Sequence, residues 1–260
     1  MAESKLLGFS VEQILQLGLP KENQDLLALK QMAENVVAWD VIPRGEATFR
    51  KSQTGGEVLQ SAEVNLDAEW QRQAQNFIKL GFHTERKLSE EDYLASLPKF
   101  EPQPENYKDR FSLPLLVETS IPWERQAELA GIDVSEYLRQ NAGRVSPIDS
   151  RSKSPEAAYS GWFSGWNERF PEKIKPSDSI KQLRNDEVGG GIYEGISMQI
   201  AHPEFNREGK YFDLIGDGVE PGIVLYLRCW GPRPELDATW NGLAFDNFRP
   251  LVRGSEIGTL

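Results

Sequence analysis

The stretch Ile223 to Trp230, Ile-Val-Leu-Tyr-Leu-Arg-Cys-Trp, limits what this chain can fold into more than any other. It is apolar at nearly every position and rich in β-branched and aromatic residues. That pattern marks a central strand buried on both faces, because an edge strand would alternate or carry charge. Such a strand needs a neighbour on each side. Tyr211 to Ile215 precedes it, Leu236 to Trp240 follows it, and Leu251 to Arg253 reads as a fourth strand. Gly216-Asp217-Gly218 supplies turn chemistry between the first two. The C-terminal part therefore reads as an antiparallel meander. Arg228 is its anomaly: a guanidinium on a central strand must reach solvent or pair with a carboxylate, and Asp213 on the preceding strand is the expected partner.

Upstream, the apolar period becomes helical. Ser10 and Gln13 have capping-box spacing ahead of Val11, Ile14 and Leu15, and Gly18 ends that helix. Pro20 opens a second one carrying Leu26, Leu29, Ala33, Val36 and Val37. Arg44 to Ser61 is polar, contains Gly45, Gly55 and Gly56, and reads as a linker or a loose hairpin. Asp67 is the expected cap of a helix with Trp70, Ala74, Phe77 and Ile78 inward, stopping at Gly81. Ser89 caps the next, which ends at Pro98. The Leu17-Gly18-Leu19 and Leu80-Gly81-Phe82 corners resemble each other, as glycine-closed helical hairpins do.

Lys99 to Lys108, with Pro102 and Pro104, reads as extended surface chain, and Leu113 to Glu118 as a strand. Helices are expected from Trp123 to Ala130, closed by Gly131, and from Val134 to Ala142 with Asp133 as cap. Tyr159 to Trp166 alternates and holds Gly161 and Gly165, each costing a helix about 1 kcal/mol. It reads as a strand turning at Asn167, with Tyr159 and Phe163 on one face and Trp162 on the other. A short helix over Asp178 to Arg184, a break at Gly189 to Gly191 and a helix from Ile192 to His202-Pro203 complete the pattern.

The fold expected is α+β: an N-terminal helical segment followed by an antiparallel meander sheet packed against helices. Residues 1–60 form the helical segment with its linker, dispensable for folding of a main domain over 65–260. With 7 Trp, 7 Tyr and 12 Phe the chain can fill a core of that size.

The net charge of −11, from 40 acidic and 29 basic residues, repels phosphate backbones and anionic headgroups, so neither nucleic acid nor membrane is expected as a partner. Arg139, Arg144, Arg151 and Lys153, interrupted by Asp149 and Glu156, read as a solvated stretch. The single cysteine, Cys229, excludes an intramolecular disulfide, and no window approaches the roughly 18 apolar residues of a spanning helix. With nothing like a signal peptide at the start, a cytoplasmic location is expected.

Several stretches resemble a bacterial family of unknown function over residues 70–260. They are Lys79-Leu80-Gly81-Phe82-His83, Ser89 to Pro98, Asp186-Glu187-Val188-Gly189-Gly190, Tyr193-Glu194-Gly195, His202-Pro203, Asp213-Leu214-Ile215-Gly216 and Arg253-Gly254-Ser255-Glu256. The resemblance implies no activity and assigns no catalytic residue.

Each chemical signal has a plainer reading beside it. His83, His202 and Cys229 lack metal-ligand spacing, so no metal and no cofactor are expected. Asp213, Asp217 and Glu220 fail the EF-hand pattern and read as an acidic turn. The triple glycine lacks the lysine of a phosphate loop and reads as a break between helices. Cys229 reads as an ordinary buried thiol. Asp213, Asp217, Asp237 and Asp246 near Trp230 and Trp240 are the least excluded chemistry, a pair of carboxylates acting as a hydrolase on a neutral or cationic substrate. The leading expectation is a non-catalytic binding domain for a protein or small molecule, with Asp213, Asp217, Arg228, Trp230 and Trp240 on its working surface.

Overall fold

The structure, a computed structural model, describes residues 65–207, 209–229 and 233–260. The helices and linker expected over 1–60, and Trp230, lie outside the described residues. The strands are β1 (Leu113–Val117), β2 (Asp133–Val134), β3 (Ser146–Pro147), β4 (Tyr159–Phe163), β5 (Glu187–Gly189), β6 (Tyr211–Gly218), β7 (Ile223–Arg228), β8 (Glu235–Trp240), β9 (Phe248–Pro250) and β10 (Val252–Gly258). The helices are α1 (Leu66–Lys79), α2 (Phe82–Glu85), α3 (Glu90–Ala95), α4 (Trp123–Leu129), α5 (Glu136–Gln140), α6 (Pro176–Gln182), α7 (Ile192–Ala201) and α8 (Pro203–Arg207).

They form two sheets, and the class is α+β as expected. One sheet is antiparallel throughout, in the order β1-β4-β10-β5. The other runs β2-β8-β7-β6-β3, with β9 parallel to the start of β6. β7 is central, between β6 and β8, because its side chains are apolar on both faces: Leu225 and Leu227 enter the main core, while Tyr226 faces the opposite side.

α7 packs against β1, β6 and β7 and is buried along most of its length, which its apolar residues on several sides permit. Ile192, Ile196 and Met198 join Phe212, Leu214, Leu225, Leu227 and Leu236 in the core, together with Tyr159 and Phe163. A second core lies under α1 to α3, where Trp70, Phe77, Phe82, Tyr93 and Leu97 close over Leu116 and Ile121.

The sheets are joined by backbone. Gly216 N–H donates to Gly190 O at 2.9 Å, Gly190 N–H to Leu251 O at 2.8 Å, and Leu251 N–H to Asp213 O at 2.9 Å. A Cβ on Gly216 would stand 2.4 Å from Gly189 O, an approach only glycine allows.

Several expectations are corrected by these contacts. The fourth strand of the meander is instead two strands: β9 runs parallel to β6, and after Leu251 the chain crosses into the first sheet as β10. The triple glycine is no break between helices, since Gly189 ends β5 and Gly191 leads into α7. α1 is capped by Asn65, whose side chain accepts from Ala68 N–H at 3.1 Å, and not by Asp67; the start moves because Leu66 packs beside Tyr107, Phe111 and Trp162. Ser135, not Asp133, caps α5, because Asp133 and Val134 are taken up by pairing with Glu235 and Leu236. Within the expected surface stretch 99–108, Tyr107 is fully buried. Among the described residues no helix is long and apolar enough to cross a membrane.

Gln73 of α1 does the work of a neighbouring strand at the edge of the first sheet. Its Nε2 donates to Pro114 O at 2.8 Å and its Oε1 accepts from Leu116 N–H at 2.9 Å, all buried. Gln73→Ala leaves both β1 groups without partners, and unfolding in urea should show a loss of about 1–3 kcal/mol. An unchanged midpoint would contradict this account of the sheet edge.

Candidate functional site

Of the five residues expected on a working surface, four are described, and they fall in four different settings. Asp213 lies on the β6 face that carries Tyr211, opposite Tyr226 of β7 and Pro250 of β9. It is buried, and among the described residues no group donates a hydrogen bond to its side chain. Desolvation pushes its pKa up to about 7, with Arg249 pulling the other way. The Arg249 guanidinium is held elsewhere, donating to Asp246 O and Phe248 O and lying 4.5 Å from the Trp166 ring.

Arg228 does not pair with Asp213. The register sets it against Glu235 of β8, with Nε 2.9 Å from Glu235 Oε2 and the guanidinium 5.1 Å from the Tyr226 ring. Asp213 lies on the other side of β7, where the register gives it Tyr226 as its partner. The β6–β7 register holds Asp213 opposite Tyr226, two positions from Arg228, and the local sequence does not encode that offset.

Asp217 is not in a turn. β6 runs through Gly218, and the turn follows at Val219 to Gly222, where Gly222 takes φ +89°. The Asp217 side chain points to the start of α7, where it accepts Ile192 N–H at 2.7 Å. Glu194 accepts Gly191 N–H at 3.1 Å beside it. The amides that an external anion would use are thus taken by the chain's own carboxylates. A Cβ on Gly191 would stand 2.1 Å from Asp217 Oδ2, so this arrangement requires glycine. Burial, and then the Glu194 charge, push the Asp217 pKa up to about 7, while Ile192 N–H opposes the rise.

Glu194 is itself fully buried. It accepts from the Tyr159 hydroxyl and lies 3.4 Å from Arg253 Nε, and burial together with the Glu194 charge drives the Tyr159 pKa upward. A second buried centre is Glu187, which accepts from Arg110, from Arg169 Nε at 2.8 Å and from Arg184 N–H at 2.9 Å. Neither cluster was found from spacing or composition, since its members come together only through the fold.

The carboxylates proposed as a hydrolytic pair are dispersed. Asp237 is two strands from Asp213, roughly 10 Å, and Tyr226 stands between them with its hydroxyl donating to Asp237 Oδ2 at 2.8 Å. Asp246 is exposed and paired with Lys173 at 2.8 Å. Among the described residues no three His, Cys, Asp or Glu side chains are grouped to hold a metal ion.

Trp240 is different in kind. It is 65% exposed at the end of β8, followed by Leu243 at 50% and Phe245 at 44%. Its indole lies against Gly242, where a Cβ would come within 2.5 Å of Nε1. Phe245 packs 5.5 Å from Phe248, which in turn meets Tyr226 at 5.5 Å and Tyr211 at 5.1 Å. Of these exposed residues, Phe245 is fastened to a buried aromatic cluster. No family model, curated protein or solved structure matches this chain.

Proposed function

We propose that the chain is a non-catalytic binding domain whose contact surface is the apolar lobe of Trp240, Leu243 and Phe245. The observation that carries this reading is the coupling of exposure to rigid backing. Scattered exposed apolar residues are normal, but three within six positions form a patch. Phe245 is held through Phe248 to Tyr211 and Tyr226, so little side-chain freedom is left to lose on binding. Large aromatic groups presented in this way are the usual anchors of protein interfaces. The polar residues expected beside them take other parts: Asp217 caps a helix and Arg228 pairs within the sheet. A protein partner and a cytoplasmic setting complete the proposal, the latter resting on a single cysteine in 260 residues.

The test is a Trp240→Ser/Leu243→Ser variant. Its melting temperature should stay within about 2 °C of wild type, because the substituted atoms are largely outside the core. A partner captured by the wild type and then purified should bind the variant at least about tenfold more weakly. Equal affinity for that partner would overturn the proposal.

A further inference from the structure

The turn that follows β8 holds a reaction of its own. Trp240-Asn241-Gly242-Leu243 is closed by Leu243 N–H donating to Trp240 O at 3.2 Å. Asn241 is the only asparagine of the 260-residue chain that is followed by glycine. Asn241 and Gly242 are half-buried, between Trp240 and Leu243, which are 65% and 50% exposed. Asn241 N–H donates to Gly222 O at 2.8 Å, and its carbonyl accepts Ser177 N–H at 2.9 Å. Among the described residues, neither the Asn241 side-chain amide nor Gly242 N–H makes a hydrogen bond.

We propose that Asn241 is a site of spontaneous covalent modification, converted through a succinimide to aspartate or isoaspartate. Gly242 N gives its proton to solvent base and attacks Asn241 Cγ, held beside it by the chain itself. As the N–Cγ bond forms, the Cγ–Nδ2 bond breaks and Nδ2 leaves as ammonia. Water then cleaves one of the two ring C–N bonds. Opening at Cγ leaves aspartate. Opening at the backbone carbonyl leaves isoaspartate, with the chain routed through the side chain. One amide and one water become one carboxylic acid and one ammonia, and nothing is oxidised or reduced.

Two features of the turn favour the reaction. Glycine has no Cβ to stand over the attacking nitrogen, and neither reacting group has a hydrogen bond to give up. Other asparagines are guarded on both counts. The side-chain amides of Asn76, Asn106 and Asn141 donate to Ile200 O at 3.2 Å, Asp186 Oδ2 at 3.1 Å and Tyr137 O at 2.8 Å. Asn65 caps α1, and the residues after these four are Leu, Phe, Tyr and Ala, each with a Cβ. The attack requires rotation about the Asn241 Cα–C bond, which opens the Leu243 bond and moves the carbonyl held by Ser177. Surface bonds of this kind open locally and often, and two of them slow the reaction by about a hundredfold at most. The product places a negative charge between Trp240 and Leu243, on the surface proposed above for contact. The reaction itself does not depend on that proposal.

The peptide acetyl-Trp-Asn-Gly-Leu-amide serves as a clock, incubated beside the whole protein in the same mildly alkaline buffer. Circular dichroism, unchanged throughout, checks that the folded turn is what reacts. Mass spectrometry of proteolytic fragments should find the amide-to-acid mass gain at position 241, at a rate no more than about a hundredfold below that of the peptide. Isoaspartate should be among the products, because only opening of the ring makes it. Asn65, Asn76, Asn106 and Asn141 should convert more slowly than Asn241. Asn241→Gln, whose ring would need one more atom, should slow the gain at least about tenfold. A rate below the stated limit overturns the proposal, as does aspartate without isoaspartate. So does equal conversion at the four guarded asparagines, or a gain that persists at the same rate in Asn241→Gln.

Discussion

Arg253→Met should cost about 3–5 kcal/mol of stability, the usual consequence of breaking a buried ion pair from one side. For a domain of this size that is a fall of roughly 10 °C in melting temperature. Arg253 is 3% exposed; its Nε lies 3.4 Å from Glu194 Oε1, and its Nη1 donates to Gly254 O at 3.1 Å. The guanidinium also lies 5.5 Å from the Tyr159 ring. Methionine fills much of the same space, so the loss would report charge more than volume. It leaves Glu194, buried at the start of α7, without its cation. A melting temperature of Arg253→Met within about 2 °C of wild type would show that the cluster is not held by this pair.

Asp213→Asn should stabilise the protein increasingly as pH rises from about 4 to about 7, and fully above that window. The carboxyl is buried, with its pKa raised to about 7 by desolvation, against about 3.9 in an unfolded chain. Between those values the folded state retains a proton that the unfolded state has released. Stability therefore falls as pH rises from about 4 to about 7, and remains lower above that window. A rise of about three units corresponds to a ceiling of ~4 kcal/mol. Urea unfolding at pH 8 should show Asp213→Asn more stable than wild type by about 2–4 kcal/mol, with little difference at pH 4. Asp217 adds to the same wild-type slope, since its pKa is raised in the same direction. A carboxyl carbon titration placing Asp213 near pH 4 would refute the burial argument, independently of how the asparagine amide is accommodated.

Elements whose signals are local were legible in the amino-acid order. β7 is central because Ile223 to Leu227 left no polar face to give to water. Ser89 caps α3 through Asp92 N–H at 3.1 Å, and Gly81 and Gly131 close their helices with φ of +83° and +65°. β4 ends in a turn around Asn167 as its alternation and glycines required. Each of these is decided within a few residues, by backbone sterics, a side chain reaching its own helix, or the period of apolar groups.

What the chain order by itself determined, then, is the α+β class, the central strand, most helix ends and the sorting of apolar residues toward a core. Tertiary structure alone decided the partner of Arg228, the crossing of the chain between sheets at Leu251, the strand character of Glu187 to Gly189 and the role of Asp217 as a helix cap. It also decided that Glu194 meets an arginine 59 positions away, and that Trp240 stands outside the core while Trp162 stands within it. The physical reason is common to all of these. A charge or an amide left unmatched by its neighbours in sequence must find its partner in space, and which partner it finds depends on register and on the approach of two sheets. Those are set by the packing of the whole core, and no short window of residues encodes them.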